Sequence, residues 1–182
     1  MAIQSVIKMG NDILATPSAA VTEFSTAALY DLIQDLQDTR QEKGGVGIAA
    51  PQIAYPLRVI IFGFEKNARY PNEKPVPFTV LINPTIEILS EEMIDGWEGC
   101  LSVPGLRGVV PRYNKIRYSG FDQEGNAFSR VAEGFHARLV QHELDHINGI
   151  IFPQRIKNLQ WFGFEDELKE KIFAKIESIN HQ

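Results

Sequence analysis

His142-Glu143-Leu144-Asp145-His146 separates two imidazoles by four positions. On a helix, which turns 100° per residue, the two rings stand about 40° apart on one face and can grip a divalent metal between them. Glu143 falls about 60° beyond His146 on the same side, where its carboxylate reaches a water held by that metal without having to be a ligand. The chemistry that this layout suits is hydrolysis.

A catalytic site of this kind takes three protein ligands and leaves a fourth position to water, so one more donor is required. His136 precedes His142 by six residues, which rotates it about 240° around the helix, away from the pair. A longer metallopeptidase signature would place another histidine six residues beyond His146, where Phe152 stands. Glu165 or Glu167 would serve in a different metallopeptidase class, although their place in an amphipathic segment suits a solvated face better. Cys100 is the preferred donor. It lies in Glu98-Gly99-Cys100-Leu101-Ser102, where glycine allows close backbone approach and a thiolate suits a soft divalent metal.

The elements that must position these groups follow from periodicity. Leu29, Leu32, Ile33 and Leu36 recur at helical spacing between residues 22 and 43, with Thr22 or Ser25 as N-cap and Gly44-Gly45 as the stop. Asp31, Asp35 and Asp38 take the solvated side of that helix. Strands are predicted over 58–64, 78–82, 85–89 and 115–121, the last turning through Gln123-Glu124-Gly125-Asn126 into 127–131. Residues 67–77, with Pro71, Pro75 and Pro77, read as a surface loop, and the loop 65–77 as a whole is expected to lie away from the reactive motifs. From 135 to about 149 the pattern is helical again, with Phe135, Leu139, Val140, Leu144 and Ile147 around the histidine pair, apolar enough to be central. A final amphipathic helix is expected over about 164–179.

Composition narrows the function classes. The 182 residues, 44% hydrophobic, suffice for a single domain over 1–182. A net charge of −5 from 18 basic and 23 acidic residues, with no basic run, gives a phosphate backbone no footing, so nucleic acid is not expected as substrate. No apolar run approaches the ~18 residues that would cross a bilayer, and the first residues lack a basic segment followed by an apolar one. A soluble, unexported, cytoplasmic protein is expected. A lone cysteine excludes an intrachain disulfide and suits a reducing compartment.

Three segments carry a specific resemblance. Gly45-Val46-Gly47-Ile48-Ala49-Ala50-Pro51-Gln52, then Glu98 to Ser102, then Gln141-His142-Glu143-Leu144-Asp145-His146 with Gly149 resemble the three motifs of the peptide deformylase family, in order and approximate spacing. The likeness runs over nearly the whole chain. It implies removal of the N-formyl group from the initiator methionine of newly made polypeptides, with release of formate. It also implies a centre held by Cys100, His142 and His146, commonly with Fe²⁺ and with Zn²⁺, Ni²⁺ or Co²⁺ as replacements. Glu143 would take the proton of the attacking water and pass it to the departing amine. Gln52 and the Leu101 N–H would donate to the developing oxyanion. Among substrate-binding residues, the backbone near Gly47 would pair with the peptide like an added strand, and Val46, Phe135 and Leu139 would line the pocket for the methionine side chain. Glu98, Gly99 and Arg107 complete that set, with Glu98 and Arg112 also bracing the cysteine loop.

The fold implied is α+β, with small antiparallel β-sheets wrapped around a central metal-binding helix and with an N-terminal and a C-terminal helix. The partners implied are N-formylmethionyl nascent peptides and the ribosome exit region, without membrane or direct nucleic-acid contact. Competing readings are a metallopeptidase using Glu165 or Glu167, a thiol amidohydrolase with Cys100 as nucleophile, and an inactive binding module that retains the fold.

Overall fold

Helix α1, Ala27–Glu42, turns Leu29, Leu32, Ile33 and Leu36 inward, and each such buried side chain contributes roughly 1.5–3 kcal/mol. Its cap is Thr26, whose hydroxyl accepts from the Leu29 N–H at 3.2 Å, rather than Thr22 or Ser25. Ser25 instead adopts a left-handed φ of 56° at the turn into the helix. The computed structural model describes residues 3–68 and 70–168, so the expected 164–179 helix lies largely outside the described residues; only 165–168 are seen, and they are helical.

Five antiparallel strands form the larger sheet: β1 (Gly47–Ala49), β2 (Val59–Phe64), β3 (Val76–Ile88), β6 (Lys115–Phe121) and β7 (Ala127–Glu133), in the order β1-β2-β3-β6-β7. Strand β2 is apolar throughout because both its faces are covered. Val59 and Ile61 pack toward α1, while Ile60 and Phe62 pack toward a second helix, α2 (Phe135–Ile147). β3 is one strand where two were expected, at 78–82 and 85–89. A bulge at Asn83-Pro84 interrupts its register with β6, and the Asn83 side chain bonds the Val21 N–H and C=O at 2.9 Å each, so local sequence reads the bulge as a break.

The smaller sheet joins β4 (Met93–Cys100), β5 (Val103–Tyr113) and β8 (Phe162–Phe164). Periodicity does not reveal β4 and β5, because glycines and prolines punctuate them. Those glycines answer to neighbours: a Cβ on Gly96 would lie 2.6 Å from the Arg138 guanidinium carbon, and one on Gly108 would come as close to Ile156. Helix α2 lies between the two sheets, which is why it is buried nearly all round, its polar residues Arg138, Gln141, Glu143, Asp145 and His146 included. It ends at Gly149 (φ 74°), where the Ile150 N–H returns to the Asp145 carbonyl at 2.9 Å. Among the described residues no helix is long and apolar enough to cross a membrane.

Candidate metal centre

His142 and His146 project from one face of α2 with ring centroids 5.1 Å apart, as their spacing predicts. Cys100 ends β4 and meets them from the smaller sheet, its sulfur 3.2 Å from His146 Nε2. The three donor atoms lie within 4.8 Å of one another. No residue of this trio is near another in the chain except through the i, i+4 pair, so the fold alone assembles it.

Each donor is oriented by what surrounds it. The Glu98 carboxylate lies 2.8 Å from His142 Nδ1, which leaves Nε2 as the free lone pair. Glu98 receives Arg112 in a two-pronged pair at 2.9 and 3.0 Å and Arg138 at 2.9 Å. These four contacts occupy the carboxylate's acceptor sites, so Glu98 braces His142 while it also lines the pocket beside the donors. Arg112 continues to Asp145 at 2.6 Å, and Arg155 closes on Asp145 at 2.7 Å. Although burial opposes its charge, Glu98 is held well below the usual carboxylate range by Arg112 and His142.

The cysteine is prepared in the same way. Burial would raise its thiol, but His146 and His142 beside it bring it down to about 5, so sulfur is present as thiolate at neutral pH. Gln52 Nε2 lies 3.4 Å from that sulfur and 3.1 Å from the Ser102 hydroxyl. The amide is turned this way because its oxygen accepts from the Ala49 N–H at 2.8 Å, within the 3₁₀ turn that follows β1. Leu101 opens the tight turn between β4 and β5, directly after the cysteine.

Glu143 occupies the same pocket. Burial pushes its carboxyl up to about 7, with the neighbouring His142, His146 and Arg40 offsetting part of the push. Among the described residues, Glu143 Oε2 and His146 Nδ1 are buried without a hydrogen-bond partner. A soft sulfur, two imidazoles and a buried carboxylate that lacks a partner are the donor set and proton carrier that a divalent cation with an open fourth position calls for. The residues present therefore fit such an ion.

Val46, Gly47, Gly99, Phe135 and Leu139 line the adjoining pocket with Trp97, Arg138 and Tyr70. Tyr70 corrects the expectation that the 65–77 loop lies away from the reactive motifs. Its ring packs 4.7 Å from that of Phe135, and the Arg107 guanidinium lies over it at 5.7 Å. Arg138 was also missed, though its position four residues before His142 placed it on the metal-facing side of the helix. Glu165, the alternative third ligand, is paired instead with Arg107 at 3.1 Å. His136 points away, between the rings of Phe62 and Tyr118.

Residues 3–161 match the polypeptide deformylase family. The chain belongs to that family. It is 56% identical over 166 residues to peptide deformylase 2 of Ralstonia nicotianae, covering 91% of this chain and 94% of that one. Identity to peptide deformylase 1 of Nitrosomonas europaea is 52% with the same coverage. A Met-Ala-Ser-bound crystal structure of the class I type b peptide deformylase from Acinetobacter baumannii superposes with a TM-score of 0.83 at 43% identity, over 85% of this chain and 99% of the other. As a family member the chain is a hydrolase of a linear formamide bond, removing the N-formyl group from nascent polypeptides, and the family's metal dependence has its counterpart in the Cys100, His142 and His146 cluster.

Proposed function

We propose that Cys100, His142 and His146 hold one divalent ion, Fe²⁺ in the cell, and that the surrounding side chains use it to deformylate N-formylmethionyl peptides. The observation that carries this reading is the convergence of three donors from β4 and α2, with Glu143 buried beside them. Zn²⁺, Ni²⁺ or Co²⁺ would fit the same donors, and because Zn²⁺ outranks Fe²⁺ in affinity at most sites, the ion found after purification need not be the working one. Bound there, such an ion supplies Lewis acidity, polarising the formyl oxygen and lowering the pKa of water toward ~7.

The chain's own residues do the rest. Glu143 takes a proton as water oxygen adds to the formyl carbon, then returns it to the methionine nitrogen as the C–N bond breaks, giving formate and a free amine. A carboxyl held near 7 is suited to both halves of that exchange. Gln52 Nε2 and the Leu101 N–H donate to the oxygen that gains negative charge, each worth roughly 3 kcal/mol in the transition state. β1 is the edge strand of its sheet, and the peptide pairs along Val46 and Gly47 as an added strand, with Gly99 on the opposite wall. Val46, Phe135 and Leu139 take the methionine side chain, and Arg107 contacts the residues that follow. The whole of 1–182 acts as one domain, in the cytoplasm and at the ribosome exit, where formylated chains emerge.

Formyl-Met-Ala-Ser and its acetyl counterpart, assayed with protein prepared without oxygen, test the reading. Formate release from the first and negligible release from the second is the expected result. Comparable hydrolysis of both, or a rate indifferent to chelators, would overturn it.

A further inference from the structure

The sequence leaves Glu165 without a task, since it is not the third metal ligand. Its partner, Arg107, stands at the boundary between two spaces. The inner pocket beside the metal centre and an outer groove of about 570 Å³ share Gly99, Cys100 and Leu101, and the groove adds Lys8, Arg107 and Glu165 to its lining. Arg107 faces Gly99 across the β4–β5 ladder, so closely that a Cβ on Gly99 would lie 3.3 Å from Arg107 Nε. A peptide whose formyl end sits in the inner pocket and whose chain continues into the groove runs past this guanidinium, because both spaces share the 99–101 wall.

Arg107 is held there from two sides. β8 brings Gly163 opposite Arg107, and Glu165, two residues farther on, places its carboxylate 3.1 Å from Arg107 Nε. From the other side the Tyr70 hydroxyl lies 3.5 Å from Nη1. Arg107 is buried while Glu165 is half exposed, so the cation stays in place and the anion faces whatever enters.

We propose that Glu165 is a specificity-determining residue that acts through Arg107, making the site select an uninterrupted polypeptide over a short peptide ending in a free carboxylate. This rests on the deformylase reading given above and adds to it. A guanidinium without a carboxylate partner captures any carboxylate of fitting geometry. In a nascent chain only neutral carbonyls pass this point, whereas a formylated tripeptide, or the tripeptide product, presents its C-terminal carboxylate. Glu165 occupies Nε and supplies a like charge that repels the peptide terminus, while the remaining N–H donors stay available to main-chain carbonyls.

The test compares formyl-Met-Ala-Ser as the free acid and as the C-terminal amide, with the wild type, Glu165→Gln, and the double variant Arg107→Gln/Glu165→Gln, at low and high salt. Glu165→Gln is expected to lower KM for the acid relative to the amide about fivefold, with the two kcat values moving together. Product inhibition by Met-Ala-Ser tightens to match. The shift shrinks at 0.5 M salt and disappears in the double variant. An acid-to-amide KM ratio equal to that of the wild type in Glu165→Gln, or a raised preference for the acid that persists without Arg107, would overturn the proposal. Failure of the underlying reading looks different, as neither peptide would then release formate even with the wild type.

Discussion

Gly47→Ala is the most informative single substitution, because it displaces the proposed base without touching base or ligands. A Cβ at position 47 would stand 2.8 Å from Glu143 Cδ and 2.9 Å from Cγ, with Oε1 nearer still. Ordinary van der Waals contact begins near 3.4 Å, so the Glu143 side chain or strand β1 must shift by about 0.5–1 Å. The left-handed region is not needed at this position, so backbone strain does not confuse the result. Overpacking of this kind costs ~1–3 kcal/mol of stability, which leaves the protein folded. A misplacement approaching 1 Å costs on the order of 100-fold in rate, about 2.7 kcal/mol of transition-state stabilisation, because proton transfer demands close alignment. Formate release from a formyl-Met peptide, measured alongside metal content, is the assay. Gly47→Ala should retain its metal and lose about two orders of magnitude in kcat, as a milder form of Glu143→Ala. Full activity, or loss of activity only in step with loss of metal, would mean that Glu143 is not the base that Gly47 makes room for.

Gln52→Leu should cost roughly 10²–10³-fold in kcat while metal content, read by atomic absorption, stays near one per chain, since in the proposed function the lost amide donates to the oxyanion and is not a ligand. Arg112→Met removes a buried cation shared by Glu98 and Asp145. About 3 kcal/mol or more of stability should be lost, visible as a Tm drop on the order of 10 °C, together with weaker metal retention because Glu98 no longer holds His142 firmly. His136 has its pKa lowered by burial and by the charge of Arg130, so the folded protein binds this proton less readily than the unfolded chain, whose imidazole titrates near 6.5. Its contribution to stability is present above that pH and is lost as pH falls. Thermal melts of the wild type and His136→Gln from pH 7.5 to 5.5 should converge or cross as the solution becomes more acidic, and a constant difference would contradict this.

Helix α2 was legible because two independent patterns coincide on it, an apolar repeat at helical spacing and a metal-binding pair at i, i+4. β6 was equally plain, since its alternation is uninterrupted from Lys115 to Phe121. The long β4–β5 hairpin was not. Gly96, Gly99 and Gly108 look like turn signals locally, yet they give room to Arg138, Arg107 and Ile156, which arrive from distant segments. The same limit hid Tyr70, whose place over Phe135 depends on the path of a loop 65 residues earlier in the chain, and the Arg138 and Asp145 links in the buried ionic network around Glu98. Reactive groups declare themselves by type and spacing. The side chains that aim them do so through tertiary contacts for which single-sequence periodicity has no signal.

The proposed activity requires one thiolate and two imidazoles to share a single cation. X-ray absorption at the metal edge, on protein purified without oxygen, measures this directly. It should report one sulfur scatterer and two imidazoles, at about 2.3 Å and 2.0–2.1 Å when the ion is Zn²⁺. A first shell without sulfur, or an unchanged spectrum in Cys100→Ser, would contradict ligation by Cys100.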